Sequence, residues 1–156
     1  MSKSLKRVND ALAAAGLEAQ VLEMDGSTRT AEEAAAQAGC ALDQIVKSIL
    51  FRGAESGRLR LFLTAGGNTV CSDRAAALAG EALGKADAQE VRAVTGFAIG
   101  GVAPLGHLNP VESWMDPRLL EFDLVWAAAG TPRHIFAVAP QALRDVAGAE
   151  PAAFTF

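Results

Sequence analysis

The chain is poor in the residues from which metal sites and disulfide frameworks are built. Its 156 residues hold two cysteines, Cys40 and Cys71, and two histidines, His107 and His134. The cysteines form no CxxC pair, and no Cys/His cluster has the spacing of a zinc site. A reduced, cytoplasmic protein with no structural metal and no cofactor is therefore expected. Long apolar runs are also missing. None approaches the ~20 residues a membrane-spanning helix needs, so no membrane partner is expected. Positive charge is scarce as well: net charge is −4, with a pI near 5.2. Non-specific affinity for nucleic acid comes mainly from Lys and Arg neutralising phosphates, so a large footprint on DNA is excluded. Contact with a short, single-stranded RNA end is not.

Nucleotide signatures are absent too. Gly80-Glu81-Ala82-Leu83-Gly84-Lys85-Ala86 is one residue short of a P-loop and lacks the following Ser or Thr. No GxGxxG follows a strand, so a dinucleotide site is not expected.

What the chain does contain is core. A hydrophobic fraction of 51% against 21% charged, much of the former alanine, suits one domain spanning residues 1–156. Lys3, Lys6 and Arg7 ahead of the stretch Ala11–Leu17 superficially resemble a signal peptide. Leu5, Val8, Leu12 and Ala15 instead share one helical face, which predicts an amphipathic surface helix.

Residues 19–24 read as a strand. Thr30 and Glu33 form a capping box for a helix that Gly39 ends. Val46–Arg52 and Leu59–Thr64 are β-rich runs joined by a Gly53–Gly57 turn, the pattern of an antiparallel hairpin. Ser72 is placed to cap a further helix, and Asp87 with Glu90 to box another that closes near Gly96. Three more strands are expected at 111–115, 124–128 and 135–139, then a helix opened by Pro140. Strands that follow one another with few βαβ crossovers predict an α/β domain of the α+β type. Its sheet should be mixed, largely antiparallel, and flanked by helices.

Two features carry candidate chemistry. Lys47 shares a strand face with Ile49 and Phe51. A cation on an apolar face is costly unless its head snorkels to water or meets an anion, so Lys47 either reaches solvent or holds an anionic group. The second feature runs from Gly96 to His107 and includes Gly100, Gly101 and Pro104. Such a loop can aim amides at a developing oxyanion or cradle a phosphate; it can also be a plain connection. His107 could line the mouth of that loop, and His107 or His134 could act as a base. Cys71 has no histidine near it in sequence and reads as a packed or partly exposed thiol. Trp114 and Trp126 read as core anchors.

At these residues the chain resembles the YbaK-type aminoacyl-tRNA deacylases, which include the editing insertion domain of bacterial prolyl-tRNA synthetases. The resemblance rests on Gln44–Phe51 and Thr95–His107, supported by Ser27–Ala34 and Glu121–Gly130, in the expected order along nearly the whole chain. It implies a free-standing editing domain that hydrolyses mischarged tRNA, with tRNA-Pro carrying a wrong small amino acid as the substrate. The implied partners are the acceptor end of aminoacyl-tRNA and a tRNA synthetase. Lys47 matches the family's active-site lysine, and Gly100 and Pro104 match the ends of its GxxxP loop, with Gly101 inside. The implied catalytic set is Lys47, Gly100 and Gly101, with Pro104, His107 and Phe51 binding substrate. Rival readings are a non-catalytic amino-acid or aminoacyl-tRNA binding module and a hydrolase of another small ester.

Overall fold

A computed structural model describes residues 2–25 and 30–156. The supporting stretch at Ser27–Arg29 lies outside these. Helix α1 (Lys3–Ala14) forms where the apolar spacing predicts it and buries Leu5, Val8 and Leu12. Strand β1 (Gln20–Glu23) leads to α2 (Ala31–Ala38), whose first turn is capped by Thr30 Oγ1 accepting from the Glu33 amide at 3.1 Å. The hairpin β2 (Ile45–Gly53) and β3 (Leu59–Ala65) follows. Then come α3 (Ser72–Ala79), β4 (Leu83–Lys85), α4 (Ala88–Thr95) and β5 (Glu112–Met115). Strands β6 (Val125–Thr131) and β7 (His134–Val138), α5 (Pro140–Ala147) and β8 (Glu150–Pro151) complete the chain.

The strands build one mixed sheet in the order β1-β7-β6-β2-β3-β5-β8, with β4 joining β2 off that path. The β1–β7, β2–β3, β2–β4 and β6–β7 ladders are antiparallel; β2–β6, β3–β5 and β5–β8 are parallel. The domain is thus a single compact α/β unit. Every residue of β3 is buried, as a central strand covered on both faces must be. Its Leu59, Leu61 and Leu63 join the larger core with Val8, Val91, Phe136 and Leu143. Phe62 faces the opposite way and stacks on Trp114 at 5.1 Å, with Phe154 edge-on. A third cluster packs α2 through Ala34 and Ala35 on Ile45, Trp126 and Ile135. Both tryptophans are buried as core anchors.

Two local expectations fail, and one strand was not foreseen. Cys71, not Ser72, stands at the N-cap of α3, and no side chain caps that helix. Asp87 is the N-cap of α4 but makes no side-chain cap bond. The Glu90 carboxylate accepts instead from Arg52 Nε at 3.2 Å. A charged partner in the adjacent strand outcompetes the local backbone donor. Finally, β4 lies in the stretch considered above for a P-loop, too short to show a period.

Arg60, only 1% exposed in β3, is neutralised by Glu112 at 2.8 Å and Glu81 at 3.1 Å. Hydrogen bonds from the Ser56 hydroxyl and the Ser56 and Glu55 amides pull the Glu81 carboxyl down to about 2, with Arg60 contributing further. A glutamate whose folded pKa is depressed contributes stability above its unfolded value and loses it as pH falls through the folded one. Unfolding midpoints should therefore drop between about pH 4.3 and pH 2. Glu81→Gln should flatten that window in a pH series of thermal denaturation. An unchanged profile would contradict this role.

Candidate functional site

Strand β2 changes partners along one edge. Ile45 and Val46 pair with Trp126 and Ala127 of β6, and Phe51 to Gly53 pair with β4. Between them, residues 47–50 pair only with β3. Backbone donors and acceptors inside a sheet are normally matched, so this break leaves strand edge open to a ligand or water. A hollow of about 290 Å³ opens beside it, lined by Lys47, Ser48 and Ile49 of β2, Gly100 and Val102 of the glycine loop, and Trp126 of β6. The start of α2 closes another side through Thr30, Ala31 and Ala34. A second hollow of about 260 Å³ shares Ser48, Ile49, Gly100 and Val102 with the first.

The Lys47 ammonium does not simply reach water. Its Nζ donates to the Asn68 carbonyl at 2.5 Å. That acceptor is itself held: Asn68 Nδ2 donates to Asp116 Oδ2 at 2.8 Å, and the Ala65 amide donates to the same oxygen at 3.1 Å. Asp116 is 3% exposed. From the other side, Asp43 accepts from the Gly67 amide at 2.8 Å and from Arg118 Nε at 3.0 Å. The Arg118 bond above all holds the Asp43 carboxyl below the usual carboxylate value, helped by Gly67 and by the charges of Arg118 and Lys47. An ammonium has three donors, so this anchor fixes Lys47 and leaves two for a ligand.

The glycine loop enters the site through Gly100 and Val102. Gly100 has φ 93°, a left-handed backbone that favours glycine, and its amide bonds to no acceptor among the described residues. Gly101 behaves differently from expectation. Its amide donates to the Ala98 carbonyl at 3.0 Å, so it is spent on the turn and not aimed into the hollow. A Cβ there would stand 2.9 Å from the Thr131 backbone, so Gly101 is small because the β6–β7 turn lies against it.

Pro104 and His107 are also displaced from the site. They line a separate hollow against α1 and α5, with Ala11 and Val146. His107 Nε2 donates to the Ala103 carbonyl at 2.7 Å, and burial pushes the imidazole below its ordinary pKa. His107 is thereby a clasp on the loop. The clasp is completed by Phe97, edge-on to its ring at 6.0 Å, and by Arg7 stacked over Phe97 at 5.0 Å. Phe51, partly buried, packs edge-on against Phe62 at 5.8 Å, at the margin of the aromatic cluster. Alternation put Phe51 on the Lys47 face correctly, but α3 and its neighbours cover that end of the strand. His134 Nδ1 is bonded to Thr131 Oγ1 at 2.7 Å in the β6–β7 turn. The structure therefore brings together Lys47 and Gly100 and leaves Gly101, Pro104, His107 and Phe51 outside the hollow.

Sequence reasoning did not single out Ser48 or the β6 wall of Trp126, Ala127 and Ala128 as site residues. The wall is made by a parallel pairing between distant segments, which period alone does not reveal. Comparison with known proteins bears on this geometry. The family model described as "Aminoacyl-tRNA editing domain" matches residues 25–146. The chain belongs to this family. Within the editing-domain family, a crystal structure of a candidate trans-editing enzyme for prolyl tRNA synthetase is 44% identical. It superposes with a TM-score of 0.93 over 100% of this chain and 99% of that one. The structure of hypothetical protein APE2540 is 28% identical, with a TM-score of 0.87 over 96% and 99% of the two chains. The Bacillus subtilis (strain 168) protein YwhH, which has no assigned function, is 31% identical over 142 residues, 91% of this chain and 90% of its own length.

The Gly101 geometry yields a direct expectation. Gly101→Ala drives a methyl group into backbone that has little room to yield, so it should destabilise the domain by about 1–3 kcal/mol, the usual cost of overpacking. Denaturant unfolding of the variant measures this. Wild-type stability would show that the loop can move off the β6–β7 turn freely.

Proposed function

We propose that this editing domain acts in trans as a deacylase that hydrolyses the ester of mischarged tRNA, tRNA-Pro carrying a wrong small amino acid. The observation that carries this reading is the joint lining of one hollow by an anchored ammonium, Lys47, and an uncommitted amide, Gly100. The apolar side of that hollow is built from Ala31, Ala34, Ile45, Ile49, Ala127 and Ile135, a lining that suits a small side chain. The 44% identity to the candidate trans-editing enzyme for prolyl tRNA synthetase supports the choice of tRNA.

An aminoacyl ester is already activated, so hydrolysis requires positioning and oxyanion stabilisation more than a strong nucleophile. Lys47 orients the ester, and the Gly100 amide meets the carbonyl oxygen as it gains charge. A water molecule adds to the carbonyl carbon, and the bond to the ribose oxygen then breaks. Water's proton ends on that ribose oxygen, releasing free amino acid and intact tRNA. The neighbouring ribose hydroxyl is positioned by the substrate itself to relay the proton. Such a step answers a physical limit: a synthetase rejects a side chain differing by one methylene by only about 1–3 kcal/mol. A synthetase that releases its errors to this domain is the partner this scheme requires.

A panel of mischarged tRNAs tests the reading. Wild-type protein should hydrolyse those with small wrong amino acids. Lys47→Ala, a change at a half-buried rim, should remove at least about 100-fold of the single-turnover rate, the scale set by deleting one electrostatic stabiliser from a site of this kind. Its circular dichroism should be unchanged. Binding without turnover by wild-type protein would instead mark a non-catalytic module, and a folded, fully active Lys47→Ala would remove Lys47 from the mechanism.

A further inference from the structure

The second hollow, on the far side of the wall formed by Ser48 and Gly100, differs in chemistry from the first. Its lining is apolar through Leu50, Ala86, Val91, Ile99 and Val102, with one charged side chain, Lys85 of β4. Lys85 is exposed, and its side-chain ammonium has no ion pair or hydrogen bond with any described residue. Ile99 at the lip is 57% exposed. At the shared wall, the Ser48 hydroxyl is buried and has no hydrogen-bond partner among the described residues. A buried hydroxyl left unmatched costs about 1–3 kcal/mol, so its presence here points to a bond made when a ligand arrives.

We infer that this second hollow is a binding subsite for the phosphodiester-linked nucleotide of the tRNA acceptor end, with Lys85 on the phosphate and Ser48 on the sugar between the two hollows. The inference rests on the deacylase reading above and deepens it by assigning the two hollows different parts of one substrate. The acylated end occupies the Lys47 hollow. The chain of the RNA leaves across the open edge of β2, where no strand blocks the way between β6 and β4. An apolar wall carrying one cation fits a base and its phosphate better than a second amino acid, which would bring an ammonium toward Lys85. The assignment also suits an acidic protein: a single well-placed lysine serves a short RNA end without a basic surface.

Two measurements test this, using full-length protein. The first is direct binding of the uncharged trinucleotide CCA. Lys85→Ala should weaken it about tenfold, equivalent to ~1.4 kcal/mol. It should also reduce the slope of log affinity against log salt by about 0.7, as expected when one phosphate of a single strand is no longer neutralised. The second compares kcat/KM for aminoacyl-tRNA and for 3′-aminoacyl-adenosine, which carries no phosphate. Lys85→Ala should shrink the wild-type preference for the tRNA about tenfold, through KM. A CCA affinity and salt slope equal to wild type would overturn the subsite. The deacylase reading fails by a different sign, absence of hydrolysis of both substrates by wild-type protein, and the CCA measurement still decides the subsite in that case.

Discussion

The site depends on a shortage of sheet. Strand β2 is held along one edge by β3 for seven residue pairs, while its other edge is paired only at the two ends. The parallel contact with β6 lasts two residue pairs before the strands diverge. Chain ends and loops ordinarily hide unpaired backbone at the surface, whereas here it opens at residues 47–50 within the sheet. Closing the gap with a longer β4 or β6 would satisfy the backbone and abolish both hollows. The fold keeps the gap because β2 is covered elsewhere, by α2 near Ile45 and by the aromatic cluster near Phe51.

Around that gap, rigidity is concentrated in groups that never touch the hollow. Asp116 and Asp43 grip the β3–α3 connection from two sides, so that the Asn68 carbonyl is a fixed post for Lys47. The glycine loop is tied at both ends. Thr95 Oγ1 donates to Val91 and accepts from the Phe97 amide at one end, and His107 holds Ala103 at the other. A flexible lysine and a glycine-rich loop are poor at holding geometry alone, and positioning is what hydrolysis of an activated ester requires. The polar network lying behind them supplies it.

Much of this fold is legible in the sequence, because period-2 and period-3.6 patterns report burial directly. The β2–β3 hairpin, the face shared by Leu5, Val8 and Leu12, and the start of α5 at Pro140 all follow from local chemistry. Lys47 stands out for the same reason, as a charge breaking an apolar alternation. What stays hidden is pairing between distant segments: the β2–β6 contact that brings Trp126 to Lys47, and the short β4 that carries Lys85. The glycine loop misleads in a particular way. Its residues suggest several amides aimed at one ligand, yet of its four glycines only Gly100 lines the hollow. Gly101 is small for the sake of the Thr131 backbone, and His107 and Pro104 face α1 and α5. Composition cannot distinguish a glycine that admits a ligand from one that admits another strand.

The most direct test of the open edge as the binding site is an amide chemical-shift titration with a non-hydrolysable 3′-aminoacylamino-adenosine. The account predicts that the largest shifts fall on residues 47–50 and 100–102, on the two sides of the gap between β6 and β4. Shifts centred instead on residues 104–108 and 146–147, around the hollow against α1 and α5, would contradict it.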